Sequence, residues 1–294
     1  MKQETDVSVL GMGGMGSACA RALIQQHKRV TVWNRTAARA ENLASSGARV
    51  ASTAAEALKA SPLSIMAVTD HAAALCILSS ADVVKELKGK VLLQTTTGRP
   101  KELCEQRDLV IQSGGRFLGG VIMTYPRNVG RPHAIGICAG DSGSFEEYRS
   151  LLQCIANFRF LGSAVGAAVG AYMALGAMMM GTLALFFETA AVARHFGVAI
   201  DDYFLLNQLT WEETADAIRD SVQRISTGDL NASQVSVDSL LSGMPDFMNT
   251  LAESGISISM TEAIVKQLEL TRSAGGGAKE MAFMTEALCI KRRT

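Results

Sequence analysis

The sequence predicts an α/β protein: a parallel sheet with helices on both faces, followed by a long helix and an all-helical domain. Short apolar runs alternate with helical stretches as far as Gly162, which is typical of such a sheet. A glycine-rich turn joins the first apolar run to the first helical stretch, and strand-like runs are missing after Gly162. We therefore predict two domains, 1–162 and 163–294, with the long helix over 163–196.

The candidate strands of the first domain lie in DVSVLG, RVTVWN, PLSIMAVTD, GKVLLQTTTG, GRFLGG, HAIGICAG and FRFLG. Helical spacing follows the first two of these runs and recurs in ASTAAEALKAS, where Ser52 is a candidate N-cap. In the second domain the pattern predicts helices over 163–196, 201–225, 234–253, 258–272 and 278–291.

The totals restrict the class of function. Lys+Arg and Asp+Glu are both 28, and this balance does not favour a nucleic-acid partner or a polybasic membrane patch. The 6 cysteines have no C-x-x-C spacing and predict reduced, mostly buried thiols. The 4 histidines have no metal-ligand spacing, so we expect no metal. With no signal-peptide pattern at MKQETDVSVLG, we expect a cytoplasmic protein.

Gly11, Gly13 and Gly16 form G-x-G-x-x-G between the first strand and the first helix. In this position the motif indicates dinucleotide binding rather than an ordinary turn. The first glycine permits the turn, the second lets a pyrophosphate approach the backbone, and the third lets the helix pack on the sheet. The residues assigned to the cofactor in this turn are Gly11, Met12, Gly13, Gly14, Met15 and Gly16.

The end of the second strand, WNRT, indicates which dinucleotide is used. NAD-binding domains place an acid there to hold the ribose hydroxyls, whereas this chain has Asn34. Arg35 follows, and Arg39 lies one helical turn further on, so two guanidinium groups can pair with a 2′-phosphate. We predict NADPH as the cofactor, with Thr36 in the same segment; the alternative is that both arginines are solvated surface charges.

The candidate strand PLSIMAVTD ends in Val68, Thr69 and Asp70. Ligands of open parallel sheets bind at the carboxyl ends of the strands, so all three are candidate cofactor contacts. Asp70 precedes a helical stretch that begins at His71, and its carboxylate can cap that helix instead. We leave both roles of Asp70 open.

The stretch from Leu161 to Phe187 has no charged side chain. By length and hydropathy it passes as a membrane span. However, no basic flank sets an orientation, and charged residues continue the helical spacing beyond Phe187. A helix that is apolar all round can also lie at the centre of a helical domain or a dimer. We favour that interpretation and expect no membrane partner.

Several segments together resemble the imine reductases, which belong to the wider β-hydroxyacid dehydrogenase superfamily. In order they are VLGMGGMGSACARAL, TVWNRT, TTTGRP, FLGGVIMTYPRNVGRPHAIGICAG and LGSAVGAAVGAYMALG, and the C-terminal helices are similar too. The resemblance implies an N-terminal Rossmann domain, a long interdomain helix, and a helical domain exchanged between two chains of a homodimer with shared active sites. It also implies hydride transfer from NADPH to a small-molecule imine or iminium.

One position separates the branches of this superfamily. Hydroxyacid dehydrogenases carry a catalytic lysine on the interdomain helix, which protonates an alkoxide as hydride reaches a carbonyl carbon. This chain has no lysine between Lys101 and Lys266. Imine reductases place Asp or Tyr on that helix, and Tyr172 matches this position. We predict that Tyr172 orients the imine nitrogen or donates its proton, and the alternative is a core aromatic residue with its hydroxyl on a backbone carbonyl.

The resemblance implies further site residues. Thr97 in TTTGRP matches a small polar residue near the nicotinamide and is assigned to catalysis and to the cofactor. Met123 and Tyr125 are expected on the substrate side, with Tyr172. Trp211 matches an aromatic pocket position, although it can equally be core. The chain departs from the family at Gly119, where an Asp or Asn is usual.

Two other functions remain open from the sequence. One is an NADP(H)-dependent reductase of a carbonyl or an enamine-like substrate, with water or Tyr172 as the acid. The other is a non-catalytic protein that binds NADP(H). This alternative is considered because the catalytic lysine of the superfamily is absent. Turnover of an imine separates both from an imine reductase.

Overall fold

The computed structural model describes residues 4–96, 98–232 and 234–290. The chain divides into two units, residues 1–176 and residues 177–294. The predicted domain border at Gly162 precedes the long helix, whereas this division falls inside the helix.

The first unit is built on a single sheet. Within the described residues its strands are β1 (Val7–Leu10), β2 (Val30–Trp33), β3 (Arg49–Val50), β4 (Leu63–Met66), β5 (Val91–Gln94), β6 (Arg116–Ile122), β7 (Ile135–Gly140) and β8 (Asn157–Phe160). Their spatial order is β3-β2-β1-β4-β5-β6-β7-β8. All neighbouring pairs are parallel except β6 and β7. The chain order reverses between β1 and β4, and such a switch point opens a crevice at the carboxyl ends of the strands.

The central strands are apolar because both faces of the sheet are covered. Successive side chains point to opposite faces. Val7 and Val9 of β1 belong to one buried cluster, and Leu10 belongs to the other. The same alternation separates Ile65 from Met66 in β4. The predicted α/β fold class with a mostly parallel sheet is confirmed.

Helices connect the strands of the first unit. They are α1 (Gly14–Gln25), α2 (Ala37–Glu41), α3 (Ala54–Ala60), α4 (His71–Leu78), α5 (Ala81–Glu86), α6 (Pro100–Gln112) and α7 (Ser142–Leu152). Short 3₁₀ turns lie at Ala44–Ser46 and Pro126–Asn128.

The N-cap predicted at Ser52 is wrong by one residue. The Thr53 hydroxyl accepts a hydrogen bond from the backbone N–H of Glu56, which is the capping contact of α3. Ser52 instead donates its own N–H and hydroxyl to the Glu56 carboxylate. The two residues therefore share the capping of this helix, and spacing alone does not distinguish them.

The expectation that most cysteines are buried is also wrong, since only Cys19 and Cys138 are. Burial raises the pKa of both thiols to about 12, so they stay protonated and unreactive at neutral pH.

The second unit is helical. After α8 (Gly166–His195), which begins in the first unit, its helices are α9 (Ile200–Thr227), α10 (Val237–Glu253), α11 (Ser259–Thr271) and α12 (Met284–Ile290). The last helix starts later than the predicted 278–291. Lys279 forms a β-bridge with Asn231, and the N–H of Glu280 donates to the carbonyl of Leu230, so this segment is extended.

Helix α8 is long and apolar enough to cross a membrane on length and composition alone. Only 6% of its most apolar window is buried within the chain. Helix α9 has no buried residue among those described. A large apolar surface of the second unit is thus left uncovered by the chain's own residues.

Glu188 of α8 caps the N-terminus of α11. Its carboxylate accepts the backbone N–H groups of Met260 and Thr261 at 2.8 and 2.9 Å and the Thr261 hydroxyl at 2.7 Å. The N-cap residue itself, Ile258, has no side-chain acceptor. Burial favours a higher pKa for Glu188, but the hydrogen bonds from Thr261 and Met260 outweigh it, and its pKa is lowered.

We expect Glu188→Ala to lower the free energy of unfolding by about 1–2 kcal/mol at neutral pH, because α11 loses its capping acceptor. Since the folded pKa is lowered, this contribution is complete above the unfolded carboxyl value of about 4.3 and disappears as pH falls through the folded value. Thermal unfolding at pH 7 and at stepwise lower pH measures both effects. Glu253→Ala, an exposed glutamate at the end of α10, is the control. Equal melting temperatures for the two variants would contradict the capping role.

Candidate active site

A groove lies at the carboxyl ends of β1, β2 and β4, where the strand order reverses. It has a volume of about 420 Å³ and is entirely within the first unit. Its lining residues are Gly11, Gly13, Gly14, Met15, Trp33, Asn34, Arg35, Thr36, Arg39, Ala67, Val68, Thr69, Ala73, Cys76 and Ile77. The groove therefore combines the glycine turn, the WNRT segment and the end of β4.

The glycine turn is tight because two of its positions have no room for a side chain. Gly11 has φ +99°, and a Cβ there would lie 2.4 Å from the carbonyl oxygen of Ala67. A Cβ on Gly16 would lie 1.8 Å from the carbonyl oxygen of Gly11. These contacts bring the first turn of α1 directly onto the end of β1, as the motif predicts.

Gly13 has a different reason to be glycine. A Cβ added there meets no protein atom within 4 Å, so the backbone borders open space in the groove. Gly13 is the N-cap of α1, and neither a side-chain cap nor an acidic residue satisfies that helix end. Free N–H groups and the positive end of the helix dipole therefore face the cavity. This cradle fits a pyrophosphate.

Asn34 links the turn to the end of β2. Its Oδ1 accepts the backbone N–H of Met12 at 2.9 Å, and its Nδ2 donates to the carbonyl of Thr36 at 3.0 Å. The amide thus uses both of its functions within the protein. An Asp at this position could keep the first contact but not the second, so Asn34 is a structural brace as well as an uncharged neighbour for a phosphate.

Arg35 and Arg39 lie beside this brace. Both are exposed, and among the described residues neither forms an ion pair with a carboxylate. Both line the groove next to the strand end where an adenine ribose is bound in this fold. Two guanidinium groups without a carboxylate partner among the described residues can pair with a 2′-phosphate. This arrangement agrees with the predicted preference for NADPH.

Not every residue assigned to the cofactor lines the groove. Met12 has its side chain buried in the core at 4% exposure, and Gly16 packs under the turn. The Asp70 carboxylate accepts the backbone N–H of Ala73 at 2.7 Å and caps α4, while its cofactor contact stays a prediction. Thr97 lies outside the described residues.

The sequence interpretation missed part of the wall. Ala73, Cys76 and Ile77 of α4 line the groove, together with Trp33 and Ala67 at the ends of β2 and β4. The signal for α4 was available, because positions 73, 76 and 77 have the i, i+3, i+4 spacing of a single helical face. Nothing in the sequence indicated which face of α4 turns toward the strands.

Tyr172 lies in the second turn of α8, within the first unit. It is half-buried and packs against the cluster that contains Val165, Ala168 and Val169. Among the described residues its hydroxyl has no hydrogen-bond partner. Within the described residues Tyr172 is therefore not bonded to a backbone carbonyl, and its catalytic role stays a prediction.

The segment after β6 carries the other predicted substrate-side residues. Met123 packs against the same cluster as Tyr172. Tyr125 is 67% exposed, and the Arg127 guanidinium lies 5.0 Å from its ring centroid. The Leu103 side chain occupies the space beside Gly119 of β6, since a Cβ on Gly119 would lie 2.5 Å from Cδ2 of Leu103. The space that a longer side chain takes in relatives is thus occupied by α6.

Trp211 belongs to the second unit. It lies on α9 and is 47% exposed, so it is not part of the core of this chain. The alternative that Trp211 is a core residue therefore does not hold within this chain. The predicted role of Trp211 in the substrate pocket stays a prediction.

Comparison with known proteins identifies both halves of the chain. The family model of the NAD binding domain of 6-phosphogluconate dehydrogenase matches residues 6–179. The model of the NADPH-dependent reductive aminase-like C-terminal domain matches residues 164–289. Together they cover the groove, α8 and the helical unit.

Similar proteins span the full length. An NADPH-dependent reductive aminase of Aspergillus oryzae is 27% identical, over 95% of this chain and 96% of its own. The structure of an imine reductase from Pseudomonas sp. is 32% identical with a TM-score of 0.84, over 97% and 100% of the two chains. That of an imine reductase from Myxococcus stipitatus, in complex with NADP+, is 30% identical with a TM-score of 0.83, over 96% and 99%. The chain therefore belongs to the imine reductase family, as the sequence resemblance predicted, and its first domain belongs to the family of the NAD binding domain of 6-phosphogluconate dehydrogenase.

Proposed function

We propose that this protein reduces the C=N bond of an imine or iminium to an amine with NADPH. The observation that carries the proposal is the Tyr172 hydroxyl, which has no hydrogen-bond partner among the described residues and lies on a helix that has no lysine. The similar proteins named above, a reductive aminase and two imine reductases, support the same reaction class.

The first unit provides the cofactor site. The unsatisfied N–H groups of the glycine turn bind the pyrophosphate, and Arg35 and Arg39 pair with the 2′-phosphate. Asn34 keeps the turn and the end of β2 at a fixed separation through Met12 and Thr36. When bound, NADPH supplies the hydride.

The chemistry of the substrate explains the missing lysine. Hydride attack on an iminium removes a positive charge, whereas attack on a carbonyl creates an alkoxide that needs a strong acid. An ammonium group beside an iminium would repel it. A neutral phenol can donate a hydrogen bond or a proton to the nitrogen without that repulsion. Tyr172 therefore suits C=N reduction better than C=O reduction.

The direct test is NADPH oxidation, followed by absorbance, with a cyclic imine such as a 1-pyrroline or a dihydroisoquinoline. We expect imine-dependent turnover and none with a β-hydroxyacid and NADP+. Turnover only with carbonyl or enamine substrates would replace the proposed reaction. NADPH binding without turnover on any of these substrates would indicate a non-catalytic NADP(H)-binding protein.

We also propose that a second copy of this chain covers the apolar surface of α8 and α9. Half-buried Phe186 of α8 contacts Tyr203 and Phe204 at the start of α9, so the exposed apolar residues of the two helices form one surface. Its exposed apolar members include Met179, Met180, Leu183, Phe187, Phe204, Leu205, Leu206 and Leu209. An exposed patch of this extent in a folded protein marks an interface.

A lipid bilayer is a poor occupant for this surface. The exposed apolar residues at the start of α9 are flanked by acids on the same helix. Asp201 and Asp202 precede them, and Glu212 and Glu213 follow them. Placing such charges at membrane depth is costly. A second protein surface leaves them in water at the rim, and supports a homodimer rather than a membrane anchor.

For the dimer, we expect sedimentation at twice the mass of one chain, without detergent. Leu209→Glu, which places a charge on a side chain that is 67% exposed, should shift the protein to monomer. Gln112→Glu, which adds the same charge at an exposed position of α6 outside this surface, is the control and should leave the mass unchanged. A wild-type monomer, or recovery only from a detergent-extracted membrane fraction, would contradict the proposal.

We propose the cytoplasm as the compartment of this protein. The support is that all cysteines are free thiols in the structure, which is typical of a reducing environment.

A further inference from the structure

A chain of buried polar side chains lies beneath the end of β5, outside the groove lining. Gln94 ends β5, Gln106 lies in the middle of α6, and His71 is the first residue of α4. Their exposed fractions are 0%, 1% and 6%. Buried amide and imidazole groups are costly unless they are paired, so this arrangement calls for a reason.

The chain has a fixed direction because it begins at a backbone N–H. The N–H of Thr96 can only donate, and it does so to Oε1 of Gln94 at 2.8 Å. The Gln94 amide nitrogen then donates to Oε1 of Gln106 at 2.5 Å. This leaves the Gln106 amide nitrogen to donate to Nδ1 of His71 at 2.6 Å. Each link settles the orientation of the next.

The direction of the chain settles the tautomer of His71. Nδ1 accepts, so in the neutral ring the proton is on Nε2. This Nε2 is buried and has no partner among the described residues. It lies against the backbone of Gly98, where a Cβ would be 2.4 Å from Nε2 and 2.0 Å from Cδ2 of the ring. The imidazole therefore fills the space next to Gly98.

The same elements hold the loop that follows β5 from several sides. The hydroxyl of Thr96 accepts the backbone N–H of Val68 at 3.2 Å, which ties the ends of β4 and β5 together. The hydroxyl of Thr95 donates to the carbonyl of Met66 at 2.8 Å. Thr96 is thus joined both to a groove-lining residue and to the buried chain.

We infer that His71 and Gln106 are positioning residues that fix Thr96 and Gly98, which follow β5, for hydride transfer. This inference rests on the proposed function, because β4 and β5 belong to the half of the fold that faces the nicotinamide end of a dinucleotide. Neither side chain lines the groove, and both act through Gln94, Thr96 and Gly98. Displacing a reacting group by about 1 Å can slow a reaction about 100-fold, so a loop held by side chains is sensitive to their loss.

The test compares two replacements of one side chain. In His71→Asn, the amide oxygen takes about the place of Nδ1 and can still accept from Gln106; in His71→Leu, no side-chain acceptor remains, and only the long contact with the backbone carbonyl of residue 71 at 3.5 Å is kept. We expect His71→Leu and Gln106→Leu to lower the single-turnover rate of NADPH oxidation with a cyclic imine by about 10- to 100-fold. We expect His71→Asn to keep most of the rate. The Kd of NADPH should change less than about threefold in all of them, because the glycine turn and Arg35 are untouched.

Gln112→Leu makes the same change at an exposed position of α6 and serves as the control. Equal rates for His71→Leu and His71→Asn would overturn the inference, as would a folded Gln106→Leu variant with the wild-type rate. If Gln106→Leu does not fold, the two His71 variants decide.

A measurement without substrate separates this inference from the proposed function. In ¹⁵N-labelled protein the His71 ring, assigned by its loss in His71→Asn, should show the Nε2–H tautomer. A proton on Nδ1 instead would overturn the chain direction whatever the activity. Absence of imine turnover in the wild type, with the Nε2–H tautomer present, would reject the reaction and not the arrangement of the loop.

Discussion

Tyr172→Phe is expected to lower kcat for a neutral cyclic imine by about 100-fold, with little change in the Kd of NADPH. The variant removes one oxygen atom that forms no hydrogen bond with the part of the chain that the structure describes. General acids typically contribute 10²- to 10⁴-fold, and about 100-fold is the low end, because imines with a pKa near neutrality are partly protonated before they bind. Steady-state kinetics at neutral pH measures the loss.

The choice of substrate distinguishes two roles of the Tyr172 phenol, proton donation and orientation of the substrate. An N-methylated iminium carries its charge permanently and needs no proton, so Tyr172→Phe should reduce it at nearly the wild-type rate if the phenol is a proton donor. Equal losses on both substrates would assign the phenol to orientation instead. Tyr148→Phe makes the same change in α7, away from the groove, and should have no effect. Full activity of Tyr172→Phe on both substrates would exclude a catalytic role.

Replacing both groove arginines is expected to remove the preference for NADPH over NADH. Each charge-assisted hydrogen bond contributes about 1.5–3 kcal/mol, and because both side chains are exposed we use the lower value. The double variant Arg35→Ala/Arg39→Ala should then lose about 100-fold in kcat/KM for NADPH, since about 1.4 kcal/mol corresponds to tenfold. The value for NADH should be nearly unchanged, because that cofactor has no 2′-phosphate.

Arg21→Ala is the control for the loss of a positive charge near the site. Arg21 is exposed on α1 but does not line the groove. Raising the salt concentration should weaken NADPH binding by the wild type more than by the double variant, because exposed charges are screened. Similar kcat/KM values for NADH and NADPH in the wild type would contradict the phosphate role of both arginines.

Local signals in the sequence predicted most of the first unit. The apolar runs located β1, β2, β4 and β5, because strands covered on both faces must be apolar throughout. The glycine turn was predictable in residue detail, since its spacing reflects backbone contacts within a few residues. The N-cap of α3 was not, because Ser52 and Thr53 are both good capping residues and only the backbone geometry selects one. The start of α12 was not either, because it depends on a β-bridge to a distant residue.

The candidate site was predicted where a motif is continuous and missed where it is assembled from separate elements. WNRT is one segment, so Asn34, Arg35 and Arg39 could be placed together beside the turn. The contribution of α4 to the wall depends on which face of that helix meets the strands, and only packing decides this. The exposure of α8 similarly depends on which of its side chains find partners, which composition does not reveal.

By itself, the sequence determined the longer strands of the first unit, the cofactor motif and the family, because each is encoded in residues that are neighbours along the chain. The short strand β3 and the helices α5, α6 and α7 were not predicted. The tertiary structure alone decided that the Asn34 amide braces the glycine turn and that His71, Gln94 and Gln106 form one buried chain. Those contacts join residues 12 to 35 positions apart. Side-chain hydrogen bonds depend on distances of a few tenths of an ångström, which only the packed fold fixes.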